Sequence, residues 1–465
     1  MTIRHSLRRR ATSWSLGHRA TSWSLGRRAT SWSLGRRATS WSLGRRAAAW
    51  LGGALLTLAA AIGAASGARA EAGATDWGWP QPYQQVSEKS KAWLKEQGFW
   101  PLGIGFQPPW TGHNALNVVV DRLDLLGKRG IEAKFTSFNS GPDLIEAFTA
   151  RRIQFGGAGN FPYHSLLDRK VPARGILNYP LLTHAVIVPN DSPLKSLKDL
   201  KGSNPPAVIG IVTGSSAEFY FQAAAAANGL EIGKDVILKN LPLSEQLQLP
   251  AGVAAVVPWD LTASLLTEER KTGRAIDTSH PYSIYEGIGF VRQELIDGAP
   301  DVVQALADSF VEAALWLRLH PDEAVKLLHE HPSLKTVPEE FLAGQIARNN
   351  NLFKPTLLLP QPAFWAAENE RIRAWLKERG RLTRDLSAAD YAASYAPEFV
   401  TATFAKLGWK APKTPVYLPA GWTGTIGSVP YPPYFNQVTA TAPQPFPEPG
   451  DLERPWRFGG KSYTP

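Results

Sequence analysis

From residue 101 onward, short apolar runs bounded by Gly, Pro and Asn alternate with longer stretches in which apolar residues recur every three or four positions. The first pattern marks buried strands and the second amphipathic helices. PLGIGFQPP predicts a strand, and HNALNVVVDRLDLLGKRG a helix ending at Gly130. IEAKFTSF reads as a strand, followed by the turn NSGP and the helix DLIEAFTARR. IQFGGAG is the next strand, with FPYHSLLDRK after it. This alternation argues for an α/β sheet covered by helices.

A second rhythm begins at LLTHAVIVP, which reads as a strand. NDSPLKSLKDLKG is a turn and a short helix, AVIGIVTG a strand, and SSAEFYFQAAAAANG a helix closed by Gly229. VILKNLP and VAAVVPWD follow as strands. From about 285 the pattern returns to longer amphipathic helices: PDVVQALADSFVEAALWLRL, PDEAVKLLHEHP and AFWAAENERIRAWLKERG. Before all of this, residues 71 to 100 form an aromatic-rich lead-in with one short helix candidate, SEKSKAWLKEQG. At the other end, residues 411 to 465 hold twelve Pro. Such a segment is read as an extended tail with polyproline character, lying on the surface or disordered, whose Trp and Tyr residues give it something to pack with.

Charge changes the picture at the front of the chain. The 465 residues carry a net charge of +10, but residues 1 to 70 hold twelve Arg and no Lys, Asp or Glu. The remainder has 38 basic and 40 acidic residues, a net of −2, so nothing beyond the leader calls for a nucleic-acid partner. The leader repeats ATSWSLG at 11–17, 20–26, 29–35 and 38–44, with basic pairs at the junctions. A nine-residue step turns a helix by about 900°, so successive Trp residues point to opposite sides and no face is built. After Arg45-Arg46 comes AAAWLGGALLTLAAAIGAASGARA, a charged flank, an Ala/Leu stretch and a small-x-small end at Ala68-Arg69-Ala70. It reads as a secretory signal cleaved after Ala70, which places the mature chain in the periplasm. Cysteine is absent, so there is no disulfide frame, thiolate nucleophile or thiolate metal site.

Candidate chemistry sits where strands give way to helices. Gly112-His113-Asn114, Ser140-Gly141, Gly159-Asn160 and Gly214-Ser215-Ser216 are four such turns. In open α/β sheets ligands bind at the carboxyl ends of strands, where helix N-termini offer free N–H groups and a positive dipole end. Several of them together would hold a small oxyanion without a buried Arg. Trp110 and Trp259 follow Pro-containing strand ends and suit a pocket wall or a core plug, and Asp260 suits a cap or a polar partner. His113 is placed facing the pocket, and His184 in the core or hinge. There is no Gly-x-Ser-x-Gly elbow, no His-Glu-x-x-His and no phosphate loop. The site is therefore read as one that binds, with no catalytic set, metal or cofactor.

These residues resemble the periplasmic solute-binding proteins of ABC transporters in the nitrate, sulfonate, taurine and bicarbonate family. The resemblance is carried by SFNSGPDLIEAFTARRIQFGGAGNFP, HAVIVPNDSPLKSLKDLKG, TGSSAEFYFQAAAAANGL and the strand VAAVVPWD with its Trp-Asp end. It covers roughly residues 101 to 320, with weaker agreement to about 400. It implies a type II periplasmic binding protein: lobe one from 101–185 and 285–400, lobe two from 186–284, and a hinge and ligand cleft between them. Residues 1–70 would be the repeat-bearing leader, 71–100 a lead-in and 401–465 a Pro-rich C-terminal extension. The resemblance further implies a monomer that captures a small anion and delivers it to the membrane subunits of a permease. Carried over by position, the pocket takes Trp110, Ser140, Gly141, Asn160, Ser215, Ser216, Trp259 and Asp260. Asn160 stands where an Asp is common in the taurine- and sulfonate-like members, which removes a partner for a ligand amine and turns the expectation away from aminosulfonates. The usual acidic residue before the Trp-Asp strand is also missing from PAGVAA. Two other readings use the same chain: a non-transport receptor that engages a partner through the tail, and an enzyme of the pyrimidine-precursor type, for which His113, His164 and His184 are the candidates.

Overall fold

In the computed structural model, residues 77–107, 113–180, 182–279, 282–413, 446–448 and 450–465 are described. The repeats, the Ala70 cleavage site, Trp110 and most of the Pro-rich tail lie outside them. The first compact region holds β1 (Leu102–Phe106), β2 (Ala133–Ser137), β3 (Phe155–Gly159) and β4 (Ala173–Tyr179). The chain then crosses to β5 (Ala185–Pro189), β6 (Ala207–Ile211), β7 (Val236–Asn240), β8 (Ala255–Val256) and β9 (Gly273–Thr278), and returns as β10 (Gly287–Arg292).

The two sheets share one plan. The first runs β2-β1-β3-β10-β4 and the second β7-β6-β8-β5-β9. β1 is parallel to β2 and β3, while β10 is antiparallel to β3 and β4. β6 is parallel to β7 and β8, while β5 is antiparallel to β8 and β9. In each sheet the strand arriving from the other lobe inserts antiparallel beside the third strand. This is the two-lobed type II arrangement that the resemblance implies. It aims the carboxyl ends of the parallel strands, and the helices that follow them, at the junction between the sheets.

Three strands of the two five-stranded sheets, β4, β9 and β10, have no counterpart in the sequence pattern. β10 is built as GIGFVR, and glycine inside a strand reads as a break. Here it is required, because a Cβ on Gly289 would press within 3.0 Å of Leu177 and against the Phe155 ring. The helix expected over 113–130 stops at Arg122. Asp124 takes φ +50° and the Leu125 N–H reaches back to the Val120 carbonyl, a closure that ends the helix before a short turn at Gly127–Arg129.

The helix Pro300–Leu319 is the spine of the first lobe, buried along nearly its whole length. Pro300 at the first position, Asp301 in the first turn and Arg318 in the last suit its ends. Phe310 packs on Phe155 at 4.9 Å between ring centres, joining the helix to β3. The lead-in is fastened to the same helix, since Trp77 Nε1 and Tyr83 Oη donate to the buried Glu312 carboxylate. The end of the tail is packed as well. A hairpin of Trp456–Phe458 and Lys461–Tyr463 brings Trp456 against Trp409 and Phe446, all three buried in the first lobe's core. The second lobe has its own core, with Val186, Ile209, Tyr220, Phe221 and Val257 at its centre.

Candidate functional site

Three helices begin where the two lobes meet. Helix Gly141–Thr149 follows β2, Asn160–Asp168 follows β3, and Ser216–Ala227 follows β6 of the other lobe. Their N-terminal residues share one cleft of about 350 Å³, its solvent mouth included, lined by Gln107, Gly141, Gly159, Pro162, Leu182, His184, Ser215, Ser216, Trp259 and Tyr285. Among the described residues, no Asp, Glu, Lys or Arg is in that lining. Leu182, Pro162, Trp259 and Tyr285 give it apolar walls. Of the first-turn N–H groups, those of Asn160, Phe161 and Asp143 are taken by the Glu286 carbonyl, Asn160 Oδ1 and Ser140 Oγ, and Pro142 and Pro162 have none, which leaves the turns at Gly141 and Ser216 as the helix ends that face the cleft. The lobes touch here: a Cβ on Gly159 would collide with the Tyr285 ring and Ser216 Oγ, and one on Gly214 would sit 3.2 Å from Pro142.

Of the residues singled out from sequence, Gly141, Ser215, Ser216 and Trp259 are in the lining. Ser216 Oγ is buried without a partner among the described residues. Ser215 Oγ donates to the Val212 carbonyl at 2.7 Å, which shapes the turn. Ser140 and Asp260 stand just behind the lining and are engaged locally. Ser140 Oγ donates to Asp143 Oδ2 at 2.8 Å and caps the Asp143 N–H, and Ser264 Oγ donates to Asp260 Oδ1 at 2.9 Å. Burial pushes the Asp260 carboxyl up to about 6. Asn160 is buried; its Oδ1 accepts the Phe161 N–H at 3.1 Å and its Nδ2 has no partner among the described residues. His113 starts a helix and its side chain lies outside the described residues, as does Trp110.

Among the described residues an imidazole lines the cleft, that of His184, which the sequence places in the core or hinge. It is 2% exposed, with the Tyr220, Trp259 and Tyr285 rings around it at 5.9 to 6.3 Å. Burial holds it down to about 3, so it is neutral at pH 7, and its Nδ1 has no partner among the described residues. No local pattern marks it: a backbone pairing with Trp259, beyond the ends of β5 and β8, brings it in. Gln107 is also outside the sequence reading; its Nε2 donates to the Gly157 carbonyl at 2.7 Å. His164, by contrast, is a core residue, stacked on Tyr391 and bonded to Asn369, and burial lowers it to about 3. No three His, Cys, Asp or Glu side chains come together as a metal site among the described residues. Nor is any described helix long and apolar enough to cross a membrane.

No model of a known protein family matches the chain. A putative aliphatic sulfonates-binding protein of Bacillus subtilis (strain 168) is 27% identical over 227 residues, which is 47% of this chain and 66% of that protein, just under two thirds of its length. Among solved structures, the alkanesulfonate-binding protein SsuA from Xanthomonas axonopodis pv. citri, bound to MOPS, superposes with a TM-score of 0.53 at 19% identity, covering 63% of this chain and 97% of that one. The periplasmic nitrate-binding protein NrtA from Synechocystis PCC 6803 gives 0.54 at 15% identity, covering 68% of this chain and 91% of that one. The periplasmic aliphatic sulphonate binding protein SsuA from Escherichia coli gives 0.52 at 18%, covering 62% and 91%. At these identities the solved structures speak for the fold and leave the ligand open. In its sheet topology and in the run it shares with the Bacillus protein, the chain resembles the periplasmic substrate-binding proteins of ABC importers in the nitrate and sulfonate family.

Proposed function

We propose that this protein is the solute-binding component of an ABC importer, holding a small anion in the cleft between its lobes and handing it to membrane permease subunits. The observation that carries this reading is the convergence of helix ends from both lobes on a lining that, among the described residues, has neither a carboxylate nor a cation. Such ends favour negative charge, and a neutral lining adds nothing to oppose it. The unpartnered Ser216 hydroxyl and His184 Nδ1 supply directed polar contacts, and Trp259, Tyr285 and Leu182 supply apolar ones. A sulfonate, nitrate or bicarbonate suits this set. Without a carboxylate in the lining, an ammonium group on the ligand has no partner, so taurine suits it less than ethanesulfonate.

The leader fits the same proposal: export to the periplasm with cleavage after Ala70 gives a mature monomer starting at Glu71. Hinge closure on the anion would present the closed form to the permease. The test is calorimetry and thermal shift on refolded, ligand-free protein against nitrate, bicarbonate, methanesulfonate, ethanesulfonate, taurine and benzoate. At a hundredfold excess over Kd, a binder adds about 2.7 kcal/mol of stability. We expect at least one anion without an amine to bind, and ethanesulfonate to exceed taurine. A folded protein that responds to none of them overturns the proposal.

A further inference from the structure

The first turn of helix Ser216–Ala227 carries a carboxylate that an anion site should not tolerate. Glu218 is 3% exposed, and its Oε2 accepts the Gly214 N–H at 2.7 Å, in the turn that leads directly to Ser215 and Ser216 of the cleft. A buried negative charge here opposes the positive end of its own helix and repels an anion held there. The charge is met from outside the lobe. Arg381 Nη1 donates to Glu218 Oε2 at 3.0 Å and Nη2 to Oε1 at 2.7 Å, a two-pronged pair.

Arg381 is held by the opposite lobe. Just beyond it, the Asp168 carboxylate at the end of helix Asn160–Asp168 accepts the Thr383 N–H and hydroxyl and the Arg384 N–H at 2.8 to 3.0 Å. Arg384 Nη1 donates to the Leu167 carbonyl, and further on the backbone at 394–396 pairs with Gly175 of β4. The helix before Arg381, Ala366–Glu378, packs Ile372, Trp375 and Leu376 against Phe161 of the first lobe and Phe219 of the second. A strap fixed to lobe one thus delivers a guanidinium to a carboxylate of lobe two. Neither Arg381 nor Glu218 is in the cleft lining.

We propose that Arg381 is a positioning residue for anion capture: it neutralises Glu218 when the lobes meet, and so turns the N-terminus of helix Ser216–Ala227 into an anion-binding end in the closed state. This rests on the anion-binding reading above. When the lobes part, Glu218 keeps the Gly214 N–H and Gln222 Nε2 but loses its cation, and the helix end loses its net attraction. Closure thus brings Arg381 to Glu218 and removes the repulsion that the anion would otherwise meet, a coupling between two places that never touch.

The test is calorimetry on wild type, Arg381→Gln, Glu218→Gln and the double variant, with whichever of nitrate, bicarbonate and ethanesulfonate wild type binds most tightly. Arg381→Gln leaves the carboxylate uncompensated and should weaken binding on the order of tenfold. Glu218→Gln keeps an acceptor for Gly214 without the charge, so its affinity should equal or exceed wild type's. The double variant should recover most of what Arg381→Gln loses, a rescue that a merely structural role for Arg381 does not give. A double variant as weak as Arg381→Gln, or an Arg381→Gln that binds like wild type, overturns the proposal. If Arg381→Gln does not fold, Glu218→Gln decides alone, and a tenfold loss there overturns it. A wild type that binds none of the three anions refutes the anion-binding reading itself, and this proposal with it.

Discussion

Gly159 gives the sharpest perturbation of the cleft. It ends β3 and precedes helix Asn160–Asp168, with φ −73° and ψ 162°, a backbone that any residue adopts. Substitution there tests space alone. The Cβ of Gly159→Ala would collide with Tyr285 and with Ser216 Oγ. Ser216 starts a helix of the second lobe and Tyr285 packs in that lobe's core, so the collision exists where the lobes meet. Gly157, on the same strand, provides the contrast: its Cβ would strike the buried Tyr179 ring, from β4 of its own sheet. Overpacking of this kind costs about 1–3 kcal/mol. At Gly159 the cost falls on the closed form, and since 1.4 kcal/mol is tenfold in affinity, Kd should rise by about five- to 150-fold. At Gly157 it falls on open and closed forms alike and should lower Tm by roughly 1–2 °C per kcal/mol, as the chain's length sets it, with little change in Kd. Scanning calorimetry and titration with one tight-binding anion read both quantities. A Gly159→Ala protein that binds like wild type, or a Gly157→Ala protein that loses as much affinity, refutes the placement of the site at the lobe junction.

Burial raises the Glu286 carboxyl to about 8, against the bonds donated by Asn369, Tyr395 and Tyr391. The folded state therefore holds a proton that the unfolded state releases near 4.5, and stability declines as pH rises from there through 8. Between pH 5 and 8 the stability of wild type relative to Glu286→Gln should fall by on the order of 2–4 kcal/mol in urea titrations, a difference in which the opposite trend of the buried His164 and His184 cancels; equal slopes would count against it. His184→Phe keeps a ring among Tyr220, Trp259 and Tyr285 and removes the nitrogens. Anion affinity should fall about two- to tenfold at nearly constant Tm, and an unchanged Kd would remove His184 from the site. Arg129→Met leaves the fully buried Glu312 without its cation, 2.7 Å away in wild type, and should cost about 3–5 kcal/mol by urea unfolding. A loss below about 1 kcal/mol would mean that Trp77 and Tyr83 suffice to hold that carboxylate.

The fold is legible in the sequence wherever the determinants are local. The helix Pro300–Leu319 has the residues PDVVQALADSFVEAALWLRL from first to last, because Pro, the acidic first turn and the apolar period all agree. The strand β6 and the helix Ser216–Ala227 are equally plain, the latter closing at Gly229 with φ +71°. What escapes local reading is set by neighbours far along the chain. β9 is an edge strand paired with β5 alone, so GRAIDT carries little apolar alternation. The run VAAVVPWD reads as one long strand, yet just Ala255 and Val256 pair with β6, and Trp259 is drawn aside to meet His184. The tail reads as an extended surface segment from its proline content, but Phe446, Leu452 and Trp456 are buried where the first lobe offers a surface for them.

The site divides along the same line. A strand followed by Gly or Ser and then a helix is a local pattern, so the helix ends that reach the cleft are found from sequence. The use each polar side chain makes of its position is a separate question. Ser140 and Asp260 spend their oxygens on Asp143 and Ser264, three and four residues away, which is the ordinary capping alternative for such residues. His184 and Tyr285 enter from another part of the chain, and Arg381 meets Glu218 across 163 residues of sequence. A cleft lined by helix ends and apolar rings is therefore marked in the sequence only by glycines, small residues and a lack of charge. Gly159 is the extreme case. Its contribution is the space that lets two lobes touch, and that space becomes a property of the site only once both lobes are folded and closed, which is why a single added methyl discriminates between the readings better than the loss of any one polar group.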